Sequence, residues 1–144
     1  MAGVDQAMAS KLLNQTTPTG TGGIPGSFGT ALASGGAMKL RLDSTAPAAS
    51  AAGTELTGTG YTSGGQAVPA ASSASSAGSA VTLPATSALQ WTNGSGAAWS
   101  IVGFDLTDSA GTRTWFGSFT GQPISVPNGA IFQVAVAGIS IGLS

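Results

Sequence analysis

Apolar and polar residues alternate most cleanly over residues 37–43, where Met38, Leu40 and Leu42 are separated by Lys39 and Arg41. A two-residue period sends successive side chains to opposite faces. The segment therefore predicts a half-buried antiparallel strand with one apolar and one basic face. The same period returns from residue 79. SAVTLP (79–84) reads as a strand stopped by Pro84, and LQW (89–91) as a short one. AWSIVGFDLTD (98–108) predicts a single strand with Val102, Phe104 and Leu106 on one side. The turn DSAG (108–111) sends TRTWFGSFT (112–120) back antiparallel, because Asp can bond its own backbone and Gly supplies a positive φ. Pro123 to Val126 is a further strand, PNG (127–129) a second turn, and 130–144 a long final strand. On that strand Phe132, Val134 and Val136 share a face. Gly138 then shifts the phase, which predicts a β-bulge before Ile139, Ile141 and Leu143.

The first residues follow a different period. Val4, Met8 and Leu12 recur every four residues and Leu13 widens the stripe, which predicts a short amphipathic helix over 1–16. Asp5 is placed to cap its start, Lys11 lies late where the helix dipole favours a cation, and Thr16-Thr17-Pro18 ends it. Such a short helix is marginal alone and must dock on its own domain or on a neighbouring subunit. Glycine and proline punctuate 17–36 too often for regular structure. Residues 44–79 are mostly Ala, Ser, Gly and Thr and predict a long loop with Tyr61 as its anchor and a short strand at Gln66 to Val68. The predicted organisation is an N-terminal helix or arm (1–16), a Gly-rich loop (17–36) and a β domain (37–144) that contains the 44–79 loop. Short strands with turn signals at roughly 8–12-residue spacing make the fold class mainly β, an antiparallel β-sandwich of jelly-roll-like type.

Composition narrows the chemistry. Of 144 residues, 25 are Ala, 23 Gly, 19 Ser and 17 Thr, whereas only nine are charged. An ordinary soluble domain has roughly 25% charged residues; this chain has 6%. It has no His and no Cys, which removes imidazole acid–base chemistry, the usual nucleophile–base pairs, His- or Cys-ligated metal centres and a disulfide framework. A net charge of −1 offers no basic footprint for a nucleic-acid backbone. No stretch of about 18 apolar residues predicts a membrane span, and the N-terminus lacks the basic and apolar regions of a signal peptide. So few charges protect a free monomer poorly, which leaves a surface solvated by Ser and Thr or, the favoured reading, one covered by partners.

Four constellations bear on chemistry. Asp105, Asp108 and Glu55 are the carboxylates that could cooperate. However, a paired-carboxylate site needs fixed separation in a cleft, and a turn and a loop predict solvation instead. The glycine-rich stretches at 20–23, 58–61 and 62–65 lack the strand, helix and Lys of a phosphate-binding loop. Trp91, Trp99, Trp115, Phe116 and Phe119 hold most of the aromatic area. They read as core, with a subunit interface or an outward-facing glycan platform as the alternatives. No catalytic, metal or cofactor residue is expected. Lys39 and Arg41 are expected on a solvated outer face or in an intersubunit ion pair.

The order of these elements resembles the small tail-fibre-like or minor tail virion proteins of tailed phages. The resemblance rests on Ala9-Ser10-Lys11-Leu12-Leu13 in the first helix, Lys39 to Leu42 with Thr45-Ala46-Pro47, and Glu55 with Gly58-Thr59-Gly60-Tyr61. It continues with Val81 to Thr86, Ile101 to Gly111, Trp115-Phe116-Gly117, and Asn128-Gly129 leading to Leu143. It departs from the family pattern after Tyr61, where Thr62-Ser63-Gly64-Gly65 stands in place of a basic residue, and in the glycine content of 17–36. The resemblance implies a non-enzymatic virion structural protein, a minor tail or tail-fibre-like component. A capsid decoration protein clamping the major capsid protein is the alternative, and a carbohydrate-binding host-attachment module a second one. The partners implied are other copies of the chain, with a trimer most natural, and other virion proteins; nucleic acid, membrane and cofactors are not. The location implied is the virion, assembled in the host cytoplasm. Val4, Met8, Leu12, Leu13, Lys39, Arg41, Tyr61 and Trp115 are the candidate assembly contacts.

Overall fold

The computed structural model describes residues 2–4, 38–68, 81–84, 86–107 and 111–141. The described part is mainly β, and its sheets are antiparallel. In chain order the strands are β1 (Ala2–Val4), β2 (Lys39–Asp43), β3 (Gln66–Ala67), β4 (Val81–Leu83), β5 (Leu89–Thr92) and β6 (Trp99–Ile101). They continue as β7 (Gly103–Thr107), β8 (Arg113–Ser118), β9 (Ile124–Val126), β10 (Ile131–Val134) and β11 (Ile139–Ile141). One sheet has five strands in the order β1-β8-β7-β2-β3; the pairs β10-β5, β11-β4 and β6-β9 form separate ladders.

The alternation of β2 holds. Leu40 and Leu42 are fully buried, and Leu42 lies opposite Phe104 while Leu40 lies opposite Leu106 on β7. Trp115 on β8 sits opposite Leu106 and completes an apolar face. That face shares one core with Leu83, Leu89, Trp91, Trp99, Ile101, Val126, Phe132, Val134 and Ile139 from the three smaller ladders. Phe119 bridges the two groups, its ring 5.2 Å from Phe104 and 5.3 Å from Phe132. At Asn93 a buried amide joins the ladders. Its Nδ2 donates to Ala97 O and Val126 O, both at 2.8 Å, while its Oδ1 accepts from Ser95 N and Oγ. Full satisfaction is what makes a buried amide tolerable.

Several expected elements are corrected. Ala2–Val4 do not begin a helix: they pair antiparallel with Trp115 to Gly117 at the edge of the five-stranded sheet. The rest of the expected 1–16 helix, including Met8, Leu12 and Leu13, lies outside the described residues, as do the 17–36 loop and Asp108. The single strand expected over 98–108 is two strands. At Val102 the chain leaves β9 and joins β2 and β8; Val102 N donates to Asp43 O and Phe119 N to Val102 O. The long final strand is also two strands. β10 pairs with β5 and β11 with β4, and between them Gly138 N bonds back to Ala135 O with Ala137 at φ 58°. The irregularity expected at Gly138 is a turn of the backbone over Ala135–Gly138, between two ladders whose registers differ by one residue, and it leaves Val136 exposed. PNG is a turn, closed by Ala130 N on Pro127 O with Gly129 at positive φ. It carries the chain from the β6-β9 ladder to the β10-β5 ladder instead of closing a hairpin.

Candidate functional site

The opposite face of the five-stranded sheet holds Arg41 and Asp43 on β2 and Asp105 on β7. In register, Arg41 lies across from Asp105, and Asp105 from Phe116 on β8. Arg113 joins the same face through a bulge. Leu106 pairs with Trp115 but Thr107 pairs with Arg113, so Thr114 is the extra residue. Thr114 Oγ1 caps the irregularity by donating to Leu106 O at 3.0 Å. Residues three apart on a regular strand face opposite ways; one inserted residue puts Arg113 and Phe116 on one side. The Arg113 guanidinium lies over the Phe116 ring, 5.1 Å from its centroid.

The charges meet there. Arg41 Nη2 donates to Asp105 Oδ2, and Arg113 Nη1 lies 3.5 Å from Asp105 Oδ1, so each guanidinium takes one oxygen of a fully buried carboxylate. Arg41 Nε is 3.4 Å from Asp43 Oδ1. Asp43 is fully buried too, yet neither of its oxygens accepts a hydrogen bond. Burial above all, then the neighbouring Asp105 charge, pushes the Asp43 carboxyl up to about 7; Arg41 and Arg113 pull it down and Glu55 adds to the rise.

Residues 44–65 close over this face. Asp43 bridges Glu55 and Ala48 bridges Ala51, so the excursion is a narrow antiparallel ribbon. Ser44 N bonds Thr54 O, and Thr54 N bonds Thr45 Oγ1, both at 2.8 Å. Arg113 donates to Ala51 O at 2.7 Å and Ala49 O at 3.1 Å, holding the tip of the ribbon. The fit is close enough to demand glycine. A Cβ on Gly53 would stand 2.6 Å from the Asp43 side chain, and one on Gly103 would stand 2.6 Å from Pro47 Cδ. Where β3 ends, the open edge of β2 is covered by the same segment: Leu56 N donates to Leu42 O, and Leu42 N donates to Tyr61 Oη. Tyr61 Oη donates on to Glu55 Oε1 at 3.1 Å, and Gly64 N donates to the same oxygen. Burial, together with that carboxylate, holds the Tyr61 hydroxyl well above the usual phenol range.

Five of the nine charged residues thus occupy one covered cluster: Arg41, Asp43, Glu55, Asp105 and Arg113. This corrects three expectations. Arg41, expected on a solvated face or in an intersubunit ion pair, is mostly covered and pairs with Asp43 and Asp105 of its own chain. Asp105 is buried rather than solvated. Glu55 is fixed by a bridge and two hydrogen bonds instead of riding a free loop. Trp115 is 4% exposed and belongs to the core, as the first reading of the aromatic residues expects. Tyr61 is the anchor expected of it, half-buried, with its ring edge-on to Trp99 at 6.4 Å. Lys39 is half-buried between Thr107 and Ala67; Val4 is placed by its backbone opposite Trp115. Asp43 and Arg113 were missed. The available signals were an acidic residue ending an alternating strand and a basic one opening the next.

Chemically the cluster can pair ions and take up one proton at Asp43. Among the described residues no group of three His, Cys, Asp or Glu side chains is placed to hold a metal ion. Among them, too, no helix is long and apolar enough to cross a membrane. In comparison with known proteins, the chain matches no family model, no curated protein and no solved structure.

Proposed function

We propose that this chain is a non-enzymatic structural protein of a tailed-phage virion, a minor tail or tail-fibre-like component that assembles with copies of itself and with other virion proteins. The fold proposed with it is an antiparallel sandwich of jelly-roll-like type, in which the five-stranded sheet and the smaller ladders enclose the shared core. The family resemblance in the order of elements supports this reading. The observation that carries it is the inward use of charge. Five of nine charged residues serve the chain's own covered cluster, which leaves the described exterior mostly to uncharged residues: Ser, Thr, Ala, Gly, Gln, Asn, Pro and single apolar residues such as Ile131, 59% exposed. A surface with so little charge favours packing against other chains over life as a free monomer. The glycan-binding alternative loses its support, since it requires an outward indole and Trp91, Trp99 and Trp115 are all buried.

The test is mass spectrometry and immunogold labelling of purified virions. Gold on the tail in stoichiometric amount is the expected result. Gold on the head would move the reading to a capsid decoration protein, and absence from purified particles would overturn it. Light scattering coupled to size exclusion should find an oligomer, with a trimer the natural closed form.

A further inference from the structure

We propose that residues 44–65 are a proton-latched flap: closed on the sheet while Asp43 holds a proton, and loosened when Asp43 is ionised. The cluster holds three carboxylates (Asp43, Asp105, Glu55) and two guanidiniums (Arg41, Arg113), so with every group ionised it has one excess negative charge. Asp105 is met by both arginines, and Glu55 accepts from Tyr61 and from Gly64 N. Asp43 alone among the three is fully buried without a hydrogen-bond donor, its nearest cationic atom being Arg41 Nε at 3.4 Å. The excess charge therefore falls on Asp43, and a proton there neutralises the cluster.

The flap is what covers that carboxyl. Gly53 lies flat against Asp43, with no room for a Cβ. Arg41 Nη2 is 3.5 Å from Gly53 O, and Arg113 grips the carbonyls of Ala49 and Ala51. Among the described residues the charged or titratable groups facing Asp43 are Arg41 on its own strand, Asp105 on β7, Arg113 on β8, and Glu55 and Tyr61 on the flap. Lifting the flap lets water reach an ionised Asp43, which removes the desolvation cost of burying it. The sign follows from linkage. A carboxyl that titrates at about 7 when covered and near 3.8 when solvated stabilises the closed form below 3.8. That contribution is lost as pH rises towards 7, and it is gone above it.

The experiment is hydrogen–deuterium exchange of the full chain from pH 5 to pH 9, corrected for intrinsic rates. Amides of the flap (Ser44, Thr54, Leu56) are compared with those of the β5-β10 ladder. Flap protection should lie below that of the ladder at every pH and should fall on the order of a hundredfold between pH 5 and pH 8 before levelling off, while the ladder, which opens with the whole domain, falls no further than global stability does. In Asp43→Asn the flap's protection should be flat over the same range. Flap protection equal to the ladder's at every pH in the parent chain, or an Asp43→Asn flap that keeps the parent's pH dependence, would overturn the proposal. Should Asp43→Asn not fold, the Asp43 carboxyl is titrated by carbon-13 NMR in the parent chain and in Glu55→Gln. A midpoint near neutral that moves down when the Glu55 charge is removed supports the latch; a midpoint in the ordinary carboxylate range refutes it.

Discussion

The two faces of the five-stranded sheet use the same strands for opposite ends. On one face Leu40, Leu42, Phe104, Leu106 and Trp115 pack without direction into a core shared with three ladders. On the other, Arg41, Asp43, Asp105 and Arg113 bind one ribbon of small residues in one place. Apolar burial tolerates exchange of one side chain for another of similar volume. Buried charge does not: removing one partner strands the other in a medium that cannot solvate it. The apolar face supplies bulk stability, and the charged face decides where an Ala/Ser/Gly segment with little apolar area of its own comes to rest.

Mutations should separate the faces. Arg41→Ala leaves Asp43 and Asp105 buried against Arg113 alone and should cost about 3–5 kcal/mol in denaturant unfolding. Leu106→Ala, fully buried on the apolar face, should cost about 2–5 kcal/mol, but its flap amides should lose protection only as the whole domain does. A pH series sharpens the contrast. Because the Asp43 carboxyl is raised from 3.8 to about 7 by folding, stability should decline as pH climbs through that window. By linkage the decline from pH 5 to pH 8 is roughly 2–3 kcal/mol, read from urea midpoints. Gly53→Ala forces a methyl into the Asp43 side chain and should cost about 1–3 kcal/mol, seen as a lowered melting temperature with loss of flap protection first. Ile131→Ser, on the outer face of β10, should change monomer stability by less than about 0.5 kcal/mol. If the exterior is an assembly surface there, it should still weaken association in light scattering.

The apolar face was legible because it is local. Alternation at Met38, Leu40 and Leu42, and again at Phe104 and Leu106, needs only neighbouring residues to read. The charged face was not legible, because its pairs are remote. Arg41 and Asp105 are 64 positions apart, and their meeting depends on strand order. Arg113 reaches them only through the extra residue at Thr114, which no periodicity announces. The breaks at Val102 and at Ala135–Gly138 were hidden for the same reason, since an apolar pattern can run on while the chain changes partners. Gly138 did mark an irregularity, the turn over Ala135–Gly138 between β10 and β11. At the N-terminus a four-residue spacing suggested a helix, but a sheet edge at β8 offered Ala2–Val4 backbone partners that a local pattern does not reveal. Asp43 lay in plain view at the end of the clearest strand, and only the cover supplied by Gly53 and Glu55 gives it a role.

The central claim is that the chain's charges hold its own fold together from within. A double-mutant cycle of Arg41→Met and Asp105→Leu, followed by urea unfolding at neutral pH, tests it most directly. The claim predicts that each single change is strongly destabilising, that the pair together is much milder than their sum, and that the coupling is about 2–3 kcal/mol. A coupling below about 0.5 kcal/mol, the value of a solvated surface pair, would contradict it.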